Sequence, residues 1–123
     1  WQIADMERDG TKVNASEAST AMQAYADAGF TTFDMADHYG SAEEIAGVFR
    51  SQNKKPAQLF TKWVPSPGTV TKSQVREAVT RALTRMQSQQ IDLMQFHAWS
   101  YAHPSWLDCL FWLQELKEEG LIK

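Results

Sequence analysis

Cysteine is nearly absent: Cys109 stands alone among 123 residues. One thiol cannot close an internal disulfide, which excludes the disulfide-stapled secreted class and fits a reducing compartment. Cys109 lies in an apolar helical stretch and reads as packing, not as a nucleophile. Long hydrophobic runs are also missing. No stretch approaches the roughly 18 residues of a membrane span, and the first residues lack the charged and apolar regions of a signal peptide. The expectation is a soluble, cytoplasmic protein with no membrane partner. No basic run is present, and 12 Lys and Arg against 15 Asp and Glu give a net charge of -3, which argues against nucleic acid as a partner. The glycines are spread singly, Gly29, Gly40 and Gly47 among them, and match neither a dinucleotide fingerprint nor a phosphate loop. Any nucleotide site must therefore be built in another way.

What is present belongs to a packed core: 43% hydrophobic residues and 11% aromatics, including five Trp. Three helix starts have capping-box spacing, Asn14 with Glu17, Ser41 with Glu44, and Thr71 with Gln74. Apolar stripes follow: Ala18, Met22, Tyr25 and Ala26; Ile45, Val48 and Phe49; Val75, Val79, Ala82, Leu83 and Met86. A fourth helix over Ser105 to Glu119 carries Leu107, Leu110, Phe111, Leu113 and Leu116, with Gly120 as its stop. Between the helices, Thr31 to Asp34, Leu59 to Lys62 and Ile91 to His97 read as short buried strands about thirty residues apart, the length of a β/α crossover. Trp1 to Ala4 read as the tail of an earlier strand, and Leu121 and Ile122 as the start of a later one. The fold class is α/β, a run of parallel β/α units. At 123 residues the chain holds one domain and is too short for an eight-unit barrel of about 250 residues.

Asp34, Tyr39, Lys62 and His97 fall at or just beyond the C-terminal ends of the three strands. In a wheel of parallel β/α units those ends share one face, so residues far apart in sequence meet there. Tyr39 is the candidate general acid, since a phenol is protonated at neutral pH and can donate to an oxygen becoming an alkoxide. A cationic Lys62 would favour negative charge on that phenol, Asp34 would hold the ammonium, and His97 could donate to the same substrate oxygen. The set suits carbonyl reduction with hydride from elsewhere. Trp63 and Trp99 are placed to wall a substrate pocket, whereas Trp106 and Trp112 read as packing. Glu43, Glu44, Lys117, Glu118 and Glu119 read as solvated helix faces and caps, and His103 as a loop residue. Asp34, Asp37, His38 and His97 also raise the alternative of a metal-dependent hydrolase, which Lys62 nearby disfavours, so no metal is expected.

At these residues the chain resembles an aldo-keto reductase. The stretch from Gly29 to Glu44 resembles the segment after that family's second barrel strand, with Asp34 and Tyr39 five positions apart. Leu59 to Trp63 resembles the third-strand segment that ends in the family's lysine, here Lys62. Ile91 to His97 resembles the fourth-strand segment that ends in its histidine. Met35 and the pair Ala98 and Trp99 depart from the family pattern at positions that shape the pocket. The resemblance implies about half of a TIM (β/α)8 barrel, a single half-barrel domain over residues 1–123 that is incomplete at both ends. It implies NAD(P)H-dependent reduction of a small aldehyde or ketone, with NADPH favoured over NADH, Tyr39 as acid, and Asp34, Lys62 and His97 in support. The cofactor-binding residues are expected mainly in the missing half. A half barrel leaves sheet edges exposed, so self-association or a completing C-terminal half is expected. The non-enzymatic alternative is a catalytically inactive reductase-like binding or scaffold module.

Overall fold

Strand parity decides how this chain folds. In the computed structural model, which describes residues 5–100 and 103–123, β1 (Thr32–Asp34), β2 (Gln58–Trp63) and β3 (Leu93–Phe96) form a parallel sheet in the order β1-β2-β3. Thr32 pairs with Gln58 and Asp34 with Phe60; Lys62 pairs with Gln95 and Trp63 with Phe96. Because side chains alternate along a strand, Asp34, Phe60, Lys62, Leu93 and Gln95 share one face, and Phe33, Leu59, Thr61, Trp63 and Phe96 share the other. Four helices, α1 (Ala15–Asp27), α2 (Ala42–Gln52), α3 (Lys72–Arg85) and α4 (Ser105–Glu118), pack in sequence order over the second face. The β/α alternation read from the sequence is thus what the chain forms. The strands expected to be buried are covered on one face only: Leu59 and Thr61 are buried, while Leu93 is 41% exposed. The expected strand tail at Trp1 to Ala4 lies outside the described residues. Ile122 makes a parallel bridge to Ile91, the beginning of a fourth strand position beside β3.

The core lies between sheet and helices. Ile45 and Phe49 of α2, Leu59 of β2, Val75, Val79 and Ala82 of α3, and Met86 and Ile91 are essentially inaccessible. Burying each large aliphatic or aromatic side chain contributes about 1.5–3 kcal/mol. Two expected stripes are corrected. In α1, Tyr25 stays exposed, edge-to-face with Phe30, and Ser19 takes a buried place with Ala26. In α4, Cys109, Leu113 and Leu116 are buried, whereas Leu107, Leu110 and Phe111 face outward. Burial raises the Cys109 thiol above its ordinary value, as suits a packing residue.

The caps also differ from one another. Thr71 and Gln74 form the full reciprocal box. Asn14 accepts from the amides of Ser16 and Glu17, a cap without a bond returned by Glu17 among the described residues. Ser41 forms no box with Glu44, because its amide and hydroxyl donate to Glu7 at 2.8 and 2.7 Å. Glu7, which also accepts from the Val13 amide, becomes the anion at the start of α2. The Ser41 hydroxyl and Val13 amide hold its carboxyl below the usual range. Gly120, at φ 84°, ends α4 with the Leu121 amide returning to the Leu116 carbonyl, the stop that was expected.

Candidate active site

The parity of β2 sends Lys62 to the open face, and its ammonium is met there from β1. Lys62 Nζ donates to Asp34 Oδ2 at 2.5 Å and to the Met35 carbonyl at 2.8 Å. Asp34 is the last residue of β1, and its other carboxylate oxygen accepts from Gln95 Nε2 at 3.0 Å, so three neighbouring strands share one polar cluster. The Lys62 side chain is only 14% exposed, while that of Asp34 is 52% exposed. The amine is therefore sheltered and its partner remains open to solvent.

Tyr39 is supplied by the loop between β1 and α2. That loop continues the β1–β2 ladder, with the Met35 amide donating to the Phe60 carbonyl and the Asp37 amide to the Lys62 carbonyl, both at 2.9 Å. A turn follows in which the Tyr39 amide donates to Ala36. The result puts Lys62 Nζ 5.3 Å from the centroid of the Tyr39 ring. Asp34, Lys62 and Tyr39 are thus brought together. His97 follows β3, its amide donating to the Trp63 carbonyl at 2.9 Å. Its ring packs edge-on against Trp99, 4.9 Å between centroids, and the His38 ring also meets Trp99, at 6.1 Å. Among the described residues His97 makes no hydrogen bond to Asp34 or Lys62.

The aldo/keto reductase family profile matches residues 1–123, the whole chain. The chain belongs to the aldo/keto reductase family. Solved aldo-keto reductases superpose on it: that of Bacillus halodurans in its apo form at 29% identity and TM-score 0.70, over 89% of this chain and 37% of that one. The aldo-keto reductase of Klebsiella pneumoniae in complex with NADPH matches at 25% identity and TM-score 0.74, over 88% and 37%. A Pseudomonas aeruginosa protein described as an aldo-keto reductase matches at 26% and 0.71, over 90% and 46%. The chain spans less than half the length of these structures. The sheet and helices are accordingly a part of the aldo-keto reductase barrel. No curated protein sequence matches the chain significantly.

Within this aldo-keto reductase sheet two tryptophans part company. Trp99, 71% exposed, stands at the rim beside His38 and His97, where a pocket wall was expected. Trp63 does not join it: adjacent to Lys62, it points to the opposite face, 5% exposed against Phe96. There it lines a cavity of about 250 Å³ beneath the β2–α3 loop, with Pro65, Pro67, Gln74 and Arg81. The alternative metal site is not assembled, since no group of three His, Cys, Asp or Glu among the described residues is placed to hold an ion. Asp34 turns to Lys62, while His38 pairs with Asp37 at 3.0 Å.

Sequence reasoning passed over Gln95, although its place two residues before His97 puts both on one strand parity. It also assigned Glu43 to a solvated face. Glu43 is 2% exposed, accepts from the Thr61 hydroxyl at 2.7 Å and pairs with Arg85 at 3.2 Å. His103 is more than a loop residue, as its Nδ1 lies 2.6 Å from the Ser105 hydroxyl at the start of α4.

Proposed function

We propose that this chain is one structural unit supplying the proton-donating side of an NAD(P)H-dependent reductase of small aldehydes or ketones, with Tyr39 as the general acid. The observation that carries this reading is the Lys62 ammonium, bonded to Asp34 and the Met35 carbonyl and 5.3 Å from the Tyr39 ring. A substrate carbonyl whose oxygen rests against the Tyr39 hydroxyl gains a proton there as the oxygen becomes an alkoxide. Negative charge left on the phenol is stabilised by the sheltered Lys62. Asp34 fixes that ammonium, Gln95 fixes Asp34, and neither residue has to move during the reaction. His97 is the second donor to the substrate oxygen, and Trp99 walls the site.

A nicotinamide dinucleotide supplies the hydride in this chemistry. The residues of this chain fit its reacting end only, since Gly40 and Gly68 stand singly at the C-terminal ends of the strands and build no phosphate cradle. Its phosphates require residues from outside the described sheet. The open face, with Leu93 41% exposed and Phe60 half-buried, must also be covered in the active protein, by a second copy or by further β/α units. No helix among the described residues is long and apolar enough to cross a membrane. A cytoplasmic location is the part of this reading that the lone Cys109 supports.

The test is NADPH-dependent reduction of a panel of small aldehydes and ketones by a preparation whose oligomeric state is fixed by light scattering. Tyr39→Phe is expected to lower turnover by about 10²–10⁴-fold while quenching of tryptophan fluorescence by NADPH persists. Equal turnover in both forms removes Tyr39 as the acid, and no turnover in either favours a binding module.

A further inference from the structure

Thr61 and Lys62 are consecutive on β2 and face opposite ways; Lys62 pairs with Asp34, and Thr61 donates to Glu43, which pairs with Arg85. The pair on the helix side has no part in the proton chemistry, yet it reaches the loop that carries Tyr39. Glu43, in the first turn of α2, accepts from Thr61 Oγ1 through one oxygen and from Arg85 Nη1 through the other. The same Arg85 nitrogen donates to the Asp37 carbonyl at 3.2 Å. Asp37 lies two residues before Tyr39, and its own amide donates to the Lys62 carbonyl. Its carboxylate accepts from the Val64 amide at 3.3 Å.

Gly47 makes the contact possible. It sits one helical turn after Glu43, on the same side of α2, and a Cβ there would lie 2.4 Å from the Arg85 carbonyl oxygen and 3.0 Å from the Met86 carbonyl carbon. The end of α3 therefore presses directly on the backbone of α2. That approach brings the Arg85 side chain, 32% exposed, up to a carboxylate that is 2% exposed.

We propose that Glu43 and Arg85 are positioning residues that clamp the β1–α2 loop at Asp37 and so fix Tyr39 over Lys62. The functional meaning of the clamp rests on Tyr39 as the acid, whereas its structural effect does not. If the pair served stability alone, replacing all its members by apolar side chains of similar size would leave the loop unchanged, because a buried ion pair often exchanges for packed hydrophobes at little cost. A positioning role predicts otherwise, since the Asp37 carbonyl loses its donor whatever fills the space.

The experiment compares the chain with the triple variant Glu43→Met, Thr61→Val, Arg85→Met, which leaves no side chain of the group unpaired and takes the donor from the Asp37 carbonyl alone. Amide hydrogen exchange is read residue by residue, and the chain is labelled with 3-fluorotyrosine, the Tyr39 resonance being assigned by its loss in Tyr39→Phe. The expected result is at least tenfold faster exchange at Asp37, Tyr39 and Ala42 and a shifted or broadened Tyr39 resonance, with protection across β2 and β3 retained. Unchanged exchange and resonance, or acceleration spread evenly over the sheet, overturns the proposal. Should the triple variant not fold, Arg85→Lys decides. It keeps a cation for Glu43, but a lysine is shorter and has no planar amino group held towards both oxygens at once, so the same local pattern is expected and an even one is again fatal. Full turnover in Tyr39→Phe would remove Tyr39 as the acid and leave this exchange result standing, so the two failures are distinguishable.

Discussion

Two aspartates at opposite ends of one sheet are used in opposite ways. Asp34 closes the C-terminal end of β1 with its carboxylate 52% exposed, and receives Lys62 and Gln95. Asp92 precedes β3 at the N-terminal end with its carboxylate 5% exposed, and receives Arg50 at 2.7 Å, the Leu59 amide at 2.9 Å and Lys123 at 2.6 Å. Asp92 joins α2, β2, β3 and the start of the fourth strand position, and both its carboxylate oxygens accept hydrogen bonds. Asp34 joins three strands at an open rim and leaves Tyr39 and His97 beside it. In parallel β/α architectures the strand N-termini serve stability and the C-termini serve chemistry. Here the two ends hold the same residue type at two degrees of burial.

The sharpest way to break this contrast is to remove each carboxylate in turn. Asp92→Ala strands the Arg50 guanidinium and a buried amide, and is expected to cost about 3 kcal/mol in urea unfolding. Asp34→Ala is expected to cost no more than about 1 kcal/mol, as for other exposed pairs, while disordering Lys62. Equal costs would erase the division. Next in size is the contrast between the partners of Asp92. Losing Arg50, 31% exposed and also bonded to Ser88, is expected to cost about 1.5 kcal/mol, against less than about 0.5 kcal/mol for Lys123, 56% exposed.

Acid sharpens the same point. Burial pushes the Asp92 carboxyl up, but hydrogen bonds from Lys123, the Leu59 amide and Arg50 outweigh it and hold the group below its ordinary value. A folded value below the unfolded one means that Asp92 stabilises the protein fully above about pH 4, and that this contribution is lost as pH falls through the folded value. Stability measured between pH 7 and pH 2 should therefore fall more steeply in the wild-type chain than in Asp92→Asn. Parallel curves would show that other carboxylates carry the acid limb.

The open end of the sheet was more legible in the sequence than the closed end. Asp34, Tyr39 and Lys62 lie within or just after strands whose boundaries are marked by capping and turn residues, so their common face follows from local signals. The parity that separates Trp63 from Lys62 was equally local, and the expectation of a shared pocket neglected it. Glu43 and Asp92 were illegible for a different reason: their partners, Arg85 and Arg50, are 42 residues away in sequence. A Glu in a first helical turn ordinarily answers the helix dipole. Only the close approach at Gly47, a product of tertiary packing, turns it inward. The outward Leu107, Leu110 and Phe111 of α4 show the same limit, because an apolar stripe reports a buried side only when a neighbour is there to bury it.

A pair of small effects tests whether the stability end is tuned throughout. Helices α3 and α4 finish by the same turn, the Ser88 amide returning to Leu83 and the Leu121 amide to Leu116, both at 3.0 Å. The left-handed position is held by Gln87 at φ 47° in one and by Gly120 at φ 84° in the other. A side chain in that region costs about 1 kcal/mol, which glycine avoids while giving back part of the gain through the entropy of the unfolded chain. Gln87→Gly is therefore expected to stabilise the chain by about 0.5 kcal/mol, and Gly120→Ala to destabilise it by about 1 kcal/mol, read as shifts in the urea midpoint. A loss of stability in Gln87→Gly would mean that the Gln87 side chain contributes packing of its own. Its Cγ lies 3.2 Å from where a Cβ on Gly47 would stand, so that contribution would belong to the contact between α2 and α3.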